Sequence, residues 1–160
     1  MDQFKNPKLI IRPVTQLTAQ HWQLLLLADP SRKLVQDYLQ KGTVWEARKD
    51  GQSVGIMVLD EIAPSRLEIK NIAVDPKFEN QGIATALLHY ALHFAKQRRY
   101  HRLQIGTGST SFKQLYLYQK VGFRITGIRR GFFVKNYERP IYENGLWLQD
   151  MLVLEIDLAK

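Results

Sequence analysis

The sequence predicts a mixed α/β fold on three observations. Strand-like runs come first as a hairpin. Further strands then alternate with helical runs, and the chain closes on a strand with apolar residues at every second position. No linker, repeat or low-complexity tract interrupts the chain, so a single domain over residues 1–160 is expected. A domain of that length buries on the order of two-thirds of its unfolded surface.

Residues 8–13 read as the first strand, with two short helices near 18–28 and 31–40 after it. Residues 44–48 and 53–60 flank Asp50-Gly51, a pair suited to a tight hairpin turn. In the second of these strands, alternation puts Val54, Ile56 and Val58 on one face. Residues 67–74 form the next strand, and alternation likewise puts Glu68, Lys70, Ile72 and Val74 on one face. Ile83, Leu87, Leu88, Ala91 and Phe94 then recur at helical spacing. A strand at 103–106 leads to a second helix, where Phe112, Leu115, Tyr116 and Gln119 sit three or four apart. Gly122 suits the left-handed turn that ends such a helix. A strand at 123–128 follows, and Leu152, Leu154, Ile156 and Leu158 mark the half-buried closing strand.

The junction at Val74-Asp75-Pro76 carries the chemistry. It runs through Lys77-Phe78-Glu79-Asn80-Gln81 to Gly82, at the mouth of the long helix that opens with Ile83, Ala84 and Thr85. A strand feeding a short loop and a helix N-terminus presents outward-pointing N–H groups at the positive end of a dipole. That arrangement suits phosphate or pyrophosphate. The small side chains of Ala84 and Thr85 let a ligand approach the backbone. No Gly-Lys-Ser/Thr follows, and two of the three dinucleotide-fingerprint glycines are missing.

These residues resemble the acetyl-CoA signature of the GCN5-related N-acetyltransferase (GNAT) superfamily, Gln/Arg-x-x-Gly-x-Gly/Ala after a strand ending Val-Asp-Pro. Gly82 and Ala84 fill the small positions, while Glu79 departs from the family's Gln or Arg. Leu117-Tyr118-Gln119-Lys120-Val121-Gly122-Phe123 resembles the family's later Leu-Tyr-x-x-x-Gly-Phe element, with Ser111 where the family's helix usually opens with Asn. The resemblance covers the chain from about Leu9 onward. It implies an α+β fold with a mixed, mostly antiparallel central sheet of about seven strands and flanking helices. That sheet is splayed beside the cofactor strand, so that acetyl-pantetheine enters the gap. The cofactor residues it implies are Ile72, Ala73 and Val74 on the strand, Asn80, Gln81, Gly82, Ile83, Ala84 and Thr85 in the loop and helix, and Ser111 and Tyr118.

The implied reaction moves an acetyl group from acetyl-CoA, a co-substrate, to a primary amine of a small molecule or of a peptide or protein, by direct attack in a ternary complex. An alkylamine has a pKa of roughly 10, so a base or a water relay must take its proton. Glu68 occupies the place where some family members carry that base; its other reading is an ion pair with Lys70. By the same resemblance the Ile72 N–H faces the thioester carbonyl and Val74 bonds the pantetheine through its backbone. Tyr118, a phenol with pKa near ~10, can protonate a thiolate whose conjugate acid lies near ~8.5. Its other reading is a tyrosine packed at a helix end. The long, aromatic and charged connection over residues 129–145 is the expected acceptor region. There Phe133, Tyr137 and Tyr142 can serve as walls, and Glu138 and Glu143 can hold a cationic amine. The other reading has this loop folded back onto the sheet.

Composition bounds the remaining classes. The absence of cysteine excludes disulfides, thiolate metal sites and a cysteinyl acyl-enzyme. His89 and His93 lack a zincin glutamate and a third ligand, so no metal is expected. The run Leu24-Leu25-Leu26-Leu27 is too short to span a membrane, and the N-terminus lacks signal-peptide order, which together predict a cytoplasmic protein off the membrane. The net charge of +8 suits an anionic partner such as coenzyme A. A catalytically silent acyl-CoA-binding module and a basic nucleic-acid-binding protein are the alternatives. Nucleic acid ranks last, because no aromatic groove interleaves with the basic cluster Arg98-Arg99-Tyr100-His101-Arg102. Exposed sheet edges leave a homodimer open.

Overall fold

The structure, a computed structural model, describes residues 8–159. Its elements run β1 (Leu9–Val14), α1 (Ala19–Ala28), α2 (Arg32–Leu39), β2 (Thr43–Lys49), β3 (Gln52–Ala63), β4 (Arg66–Val74), α3 (Ile83–Gln97) and β5 (Arg102–Gly108). They continue with α4 (Phe112–Val121), β6 (Arg124–Arg129), α5 (Phe132–Lys135), β7 (Ile141–Glu143), β8 (Leu146–Leu148) and β9 (Met151–Asp157). Seven strands form one sheet in the order β1-β2-β3-β4-β5-β9-β6, and β7 and β8 form a separate hairpin. Every neighbouring pair in the large sheet is antiparallel except β4 with β5. This is the mixed, mostly antiparallel α+β architecture expected. The last strand closes the chain but not the sheet, because β9 inserts between β5 and β6.

Local chemistry sets the element ends. Thr18 caps α1 by accepting the His21 N–H at 3.4 Å, and His21 Nδ1 accepts the Thr18 N–H at 3.0 Å in return. Asp50 and Gly51 both take left-handed conformations, φ 51° and 77°, as a type I′ hairpin demands. At the end of α4, the N–H groups of Gly122 and Phe123 both bond the Tyr118 carbonyl, at 3.2 and 3.0 Å.

Helices cover both faces of the sheet. One core joins β3, β4 and β5 to α3 through Met57, Leu59, Leu67, Ile69, Leu87 and Leu88; the other joins Ile56, Val58 and Ala73 to Leu24, Leu25 and Val35 of α1 and α2. Two bulges decide which residues face which core, and each overturns a simple alternation. Ala47 opposes Gly55 while Arg48 opposes Ser53, so Val54 is unpaired and belongs to the α3 core, away from Ile56 and Val58. Leu59 opposes Ile69 while Val58 opposes Asn71, so Lys70 is the extra residue of β4. Ile69 and Ile72 therefore both pack toward α3. Glu68 lies on the opposite face of β4, not with Ile72 and Val74.

A buried ion cluster fixes α1 to the sheet. Glu46 of β2 is 3 % exposed and accepts from Arg12 Nε at 2.9 Å, with His21 Nε2 on its other oxygen at 2.9 Å. Because His21 Nδ1 accepts the Thr18 N–H, Nε2 carries the ring proton and donates to Glu46. Burial alone pushes the Glu46 carboxyl up, but hydrogen bonds from His21 and Arg12 outweigh it and bring it from 4.5 down to about 2.

The unfolded chain thus binds this proton first as the pH falls. The contribution of Glu46 is complete above about pH 4.5 and is lost as the pH drops toward about 2. Urea denaturation across that window should show falling stability in the native chain. Glu46→Gln should flatten this acid limb and cost on the order of 3 kcal/mol at neutral pH.

Candidate active site

The parallel strands β4 and β5 pair over four residues only, from Arg66 with Arg102 to Ile69 with Ile105. Beyond that point they part, and a cleft opens between Ile72 on one side and Gly106, Thr107 and Gly108 on the other. It has two halves, about 480 Å³ and about 460 Å³, and Ile72, Gln114 and Tyr118 line both.

The first half is built by the β4–α3 junction. Asp75 Oδ1 accepts the Lys77 N–H at 2.9 Å and turns the chain out of the strand. Asn80 and Gly82 then take left-handed conformations, φ 62° and 80°. A Cβ on Gly82 would meet nothing within 4 Å, so the glycine answers to backbone conformation and not to space. No side chain caps α3, whose first turn closes with a bond from the Ala86 N–H to the Gly82 carbonyl at 3.0 Å. The N–H groups of Gly82, Ile83, Ala84 and Thr85 are left for a ligand. Ile72, Ala73, Val74, Asn80, Gly82, Ile83, Ala84 and Thr85 all line this half. Gln81 does not; its side-chain oxygen accepts from Lys49 Nζ at 2.7 Å. Glu79 lies on the rim opposite Lys113, 3.8 Å away, which offsets its charge.

The second half collects residues from distant segments. Ser111, Phe133, Tyr137 and Glu143 line it. Ser111 is buried, makes no capping bond to α4, and stands in this half and not beside the α3 N-terminus. Phe133 and Tyr137 stack at 5.5 Å between centroids. Strand alternation in β7 turns Ile141 and Glu143 into the cleft and Tyr142 away from it, 69 % exposed, so Tyr142 is not a cleft wall. Glu138 is likewise exposed and outside the lining. Glu68 lines neither half, and its carboxylate pairs with Lys70 Nζ at 3.1 Å.

Tyr118 sits where the halves meet, 5 % exposed and packed on Phe123. Burial pushes its phenol up from the ordinary value, which favours the neutral hydroxyl. A network that sequence reasoning missed borders the second half. Tyr137 donates to Asp29 Oδ1 at 2.8 Å, and Tyr38 approaches Asp29 Oδ2 at 3.4 Å while accepting from Asn71 Nδ2 at 2.9 Å. Burial first, and the Asp29 charge after it, push both phenols up; the Asn71 bond opposes this at Tyr38. Asp29 and Tyr137 are 108 positions apart, so no local pattern signals their contact. The break at Asp29-Pro30-Ser31 marks only a helix end.

Among the described residues no His, Cys, Asp or Glu cluster could hold a metal, and no helix is long and apolar enough to cross a membrane.

Residues 13–123 match the model of the acetyltransferase (GNAT) family. The chain is 41 % identical over 137 residues to the uncharacterised N-acetyltransferase YvbK of Bacillus subtilis, spanning 86 % of this chain and 88 % of that one. It superposes on the crystal structure of a GNAT family acetyltransferase from Elizabethkingia anophelis with acetyl-CoA bound, at TM-score 0.91 and 47 % identity over 94 % of this chain and 99 % of that one. The Bacillus subtilis acetyltransferase in complex with CoA gives TM-score 0.90 and 39 % identity, again over 94 % and 99 %. The splayed sheet, the uncapped α3 terminus and these matches agree, and the chain belongs to the GNAT family of N-acetyltransferases.

Proposed function

We propose that this chain transfers acetyl from acetyl-CoA to a primary amine by direct attack in a ternary complex. One observation carries the reading: a half-cleft suited to the cofactor and a half-cleft suited to an acceptor share Ile72 and Tyr118. The open N–H groups from Gly82 to Thr85 receive the pyrophosphate. Ala73 and Val74, on the strand edge that β5 has left, bond the pantetheine arm as a further strand would. The Ile72 N–H holds the carbonyl oxygen as it gains charge.

The amine enters the second half, past Phe133, Tyr137 and Glu143. Its nitrogen forms the C–N bond, and the C–S bond then breaks. The proton from nitrogen leaves through water, with Glu68 as its proposed destination, since Glu68 lies off the cleft wall. The thiolate takes the Tyr118 proton. Burial disfavours both the thiolate and the tyrosinate, so the order of their ordinary acidities is kept. We assign Ser111 a bond to the cofactor near its thioester end, a role supported by its position in the second half, where Tyr118 also stands. We assign the chain one acetyltransferase domain over residues 1–160, acting in the cytoplasm. A homodimer through the free edge of β6, with Ile125 and Ile128 exposed, fits its outer surface.

Two substitutions test the two halves separately. Tyr118→Phe should lower kcat by roughly 100-fold and leave CoA affinity within a few-fold, read by thiol release and calorimetry. Unchanged turnover removes the acid role. Ala84→Asp puts a carboxylate in the first turn of α3, which favours the helix dipole but repels pyrophosphate. The free protein should keep its Tm, while affinity for acetyl-CoA falls by roughly 10-fold or more. Undiminished thermal protection by acetyl-CoA in this variant would overturn the placement of the pyrophosphate.

A further inference from the structure

The acceptor half of the cleft has a charge opposite to that of the chain. Its lining contains two carboxylates, Asp29 and Glu143, and one ammonium, Lys70, in a protein of net charge +8. Lys70 is already matched by Glu68 at 3.1 Å. Among the described residues Glu143 has no hydrogen-bond or ion-pair partner through its side chain.

Asp29 is held in place more firmly than a helix-end aspartate requires. Its Oδ1 accepts from the Ser31 N–H at 3.1 Å and from the Tyr137 hydroxyl at 2.8 Å. Among the described residues its Oδ2 has only the long 3.4 Å contact from Tyr38 and keeps acceptor capacity. Tyr38 is fixed in turn by Asn71 Nδ2, whose orientation is set by its bond to the Leu25 carbonyl at 3.0 Å. The ring of Tyr137 lies beside this carboxylate, stacked on Phe133. A fixed carboxylate against an aromatic wall is a receptor for an organic cation.

The nitrogen that attacks the thioester must be neutral, whereas a carboxylate favours a charged one. With its Oδ1 already engaged twice, Asp29 suits an anchor better than a proton acceptor. The charge it reads therefore belongs to a different atom of the acceptor. We propose that the acceptor is an amine bearing a second, non-reacting cation, of the alkyl diamine or polyamine class, and that Asp29 is the residue that selects it. This rests on the acetyl-transfer reading above and names the substrate class of that same site.

The test compares acceptors of equal chain length that differ at the far end: α,ω-diamines of three to eight carbons, the matching monoamines, and the matching ω-amino acids. Thiol release with acetyl-CoA should give the highest kcat/KM for a diamine, a lower value for its monoamine and the lowest for its amino acid. Asp29→Asn keeps an oxygen for the Ser31 N–H and should compress the diamine-to-monoamine ratio by roughly 10-fold or more. Glu143→Gln should compress it less. Tyr137→Phe keeps the stacked ring, removes the hydroxyl that orients Asp29, and should give an intermediate ratio. A purely structural role for Asp29 would lower Tm or all rates together and leave the ratio unmoved, and that result overturns the proposal. So does equal use of diamine and amino acid, or no turnover of any diamine while acetyl-CoA still raises Tm. Loss of thermal protection by acetyl-CoA in the native chain would instead overturn the reading of the cofactor half.

Discussion

Two neighbouring strands that stop pairing partway leave backbone donors and acceptors that the sheet itself does not satisfy. Beyond Ile69 and Ile105, one edge of β4 and one edge of β5 face a gap. Each strand is still held on its other side, β4 by β3 and β5 by β9, so the gap does not unravel the sheet. Unpaired main-chain groups at a sheet edge are costly unless water or a ligand meets them. The bulge at Lys70 is the local device that accompanies the parting. It brings Ile72 onto the face that already carries Ile69, and turns Asn71 toward α1 and α2.

The rest of the site rests on that frame. The junction after β4 ends at Gly82 because the chain needs a left-handed residue where α3 begins. Tyr118 is located by the end of α4, where its carbonyl accepts two N–H groups and its ring packs on Phe123. The acceptor half depends on a longer chain of contacts. Glu46 and His21 pin the start of α1 to β2, and the far end of α1 supplies Leu27, Ala28 and Asp29 to the cleft. A charge cluster remote from the gap thereby helps to set the position of the residues that border it.

Legibility in the sequence followed the range of the interactions. Asp50-Gly51, Thr18, Gly82 and Gly122 act through their own few neighbours, and each stands at a turn or helix end as its chemistry requires. The loop around Gly82 and the helix end around Tyr118 were readable for the same reason, as was the fold class. Bulges are not legible, because an extra residue in a strand leaves no mark in composition; strict alternation therefore puts Val54 and Glu68 on the wrong faces. The short helix α5 and the β7–β8 hairpin are too brief to show a period, so nothing local reveals that alternation turns Tyr142 outward. Asp29, Tyr38 and Asn71 meet only through tertiary packing.

The position of β9 has a consequence for how this scaffold can change. Arg129 at the end of β6 sits opposite Met151 at the start of β9, so residues 130–150 leave and rejoin the sheet at one point. Asp150 fastens that neck, accepting the Gly131 N–H through its side chain at 2.8 Å and the Ser109 N–H through its carbonyl at 2.9 Å, and the Phe133 N–H adds a bond to the Gln149 carbonyl at 3.0 Å. Closing a loop whose ends are already adjacent grows only slowly more costly with length. This excursion, which holds Phe133, Tyr137 and Glu143, is thus a cassette. Its length and content can be exchanged by grafting at the neck while the strands that frame the opening keep their register.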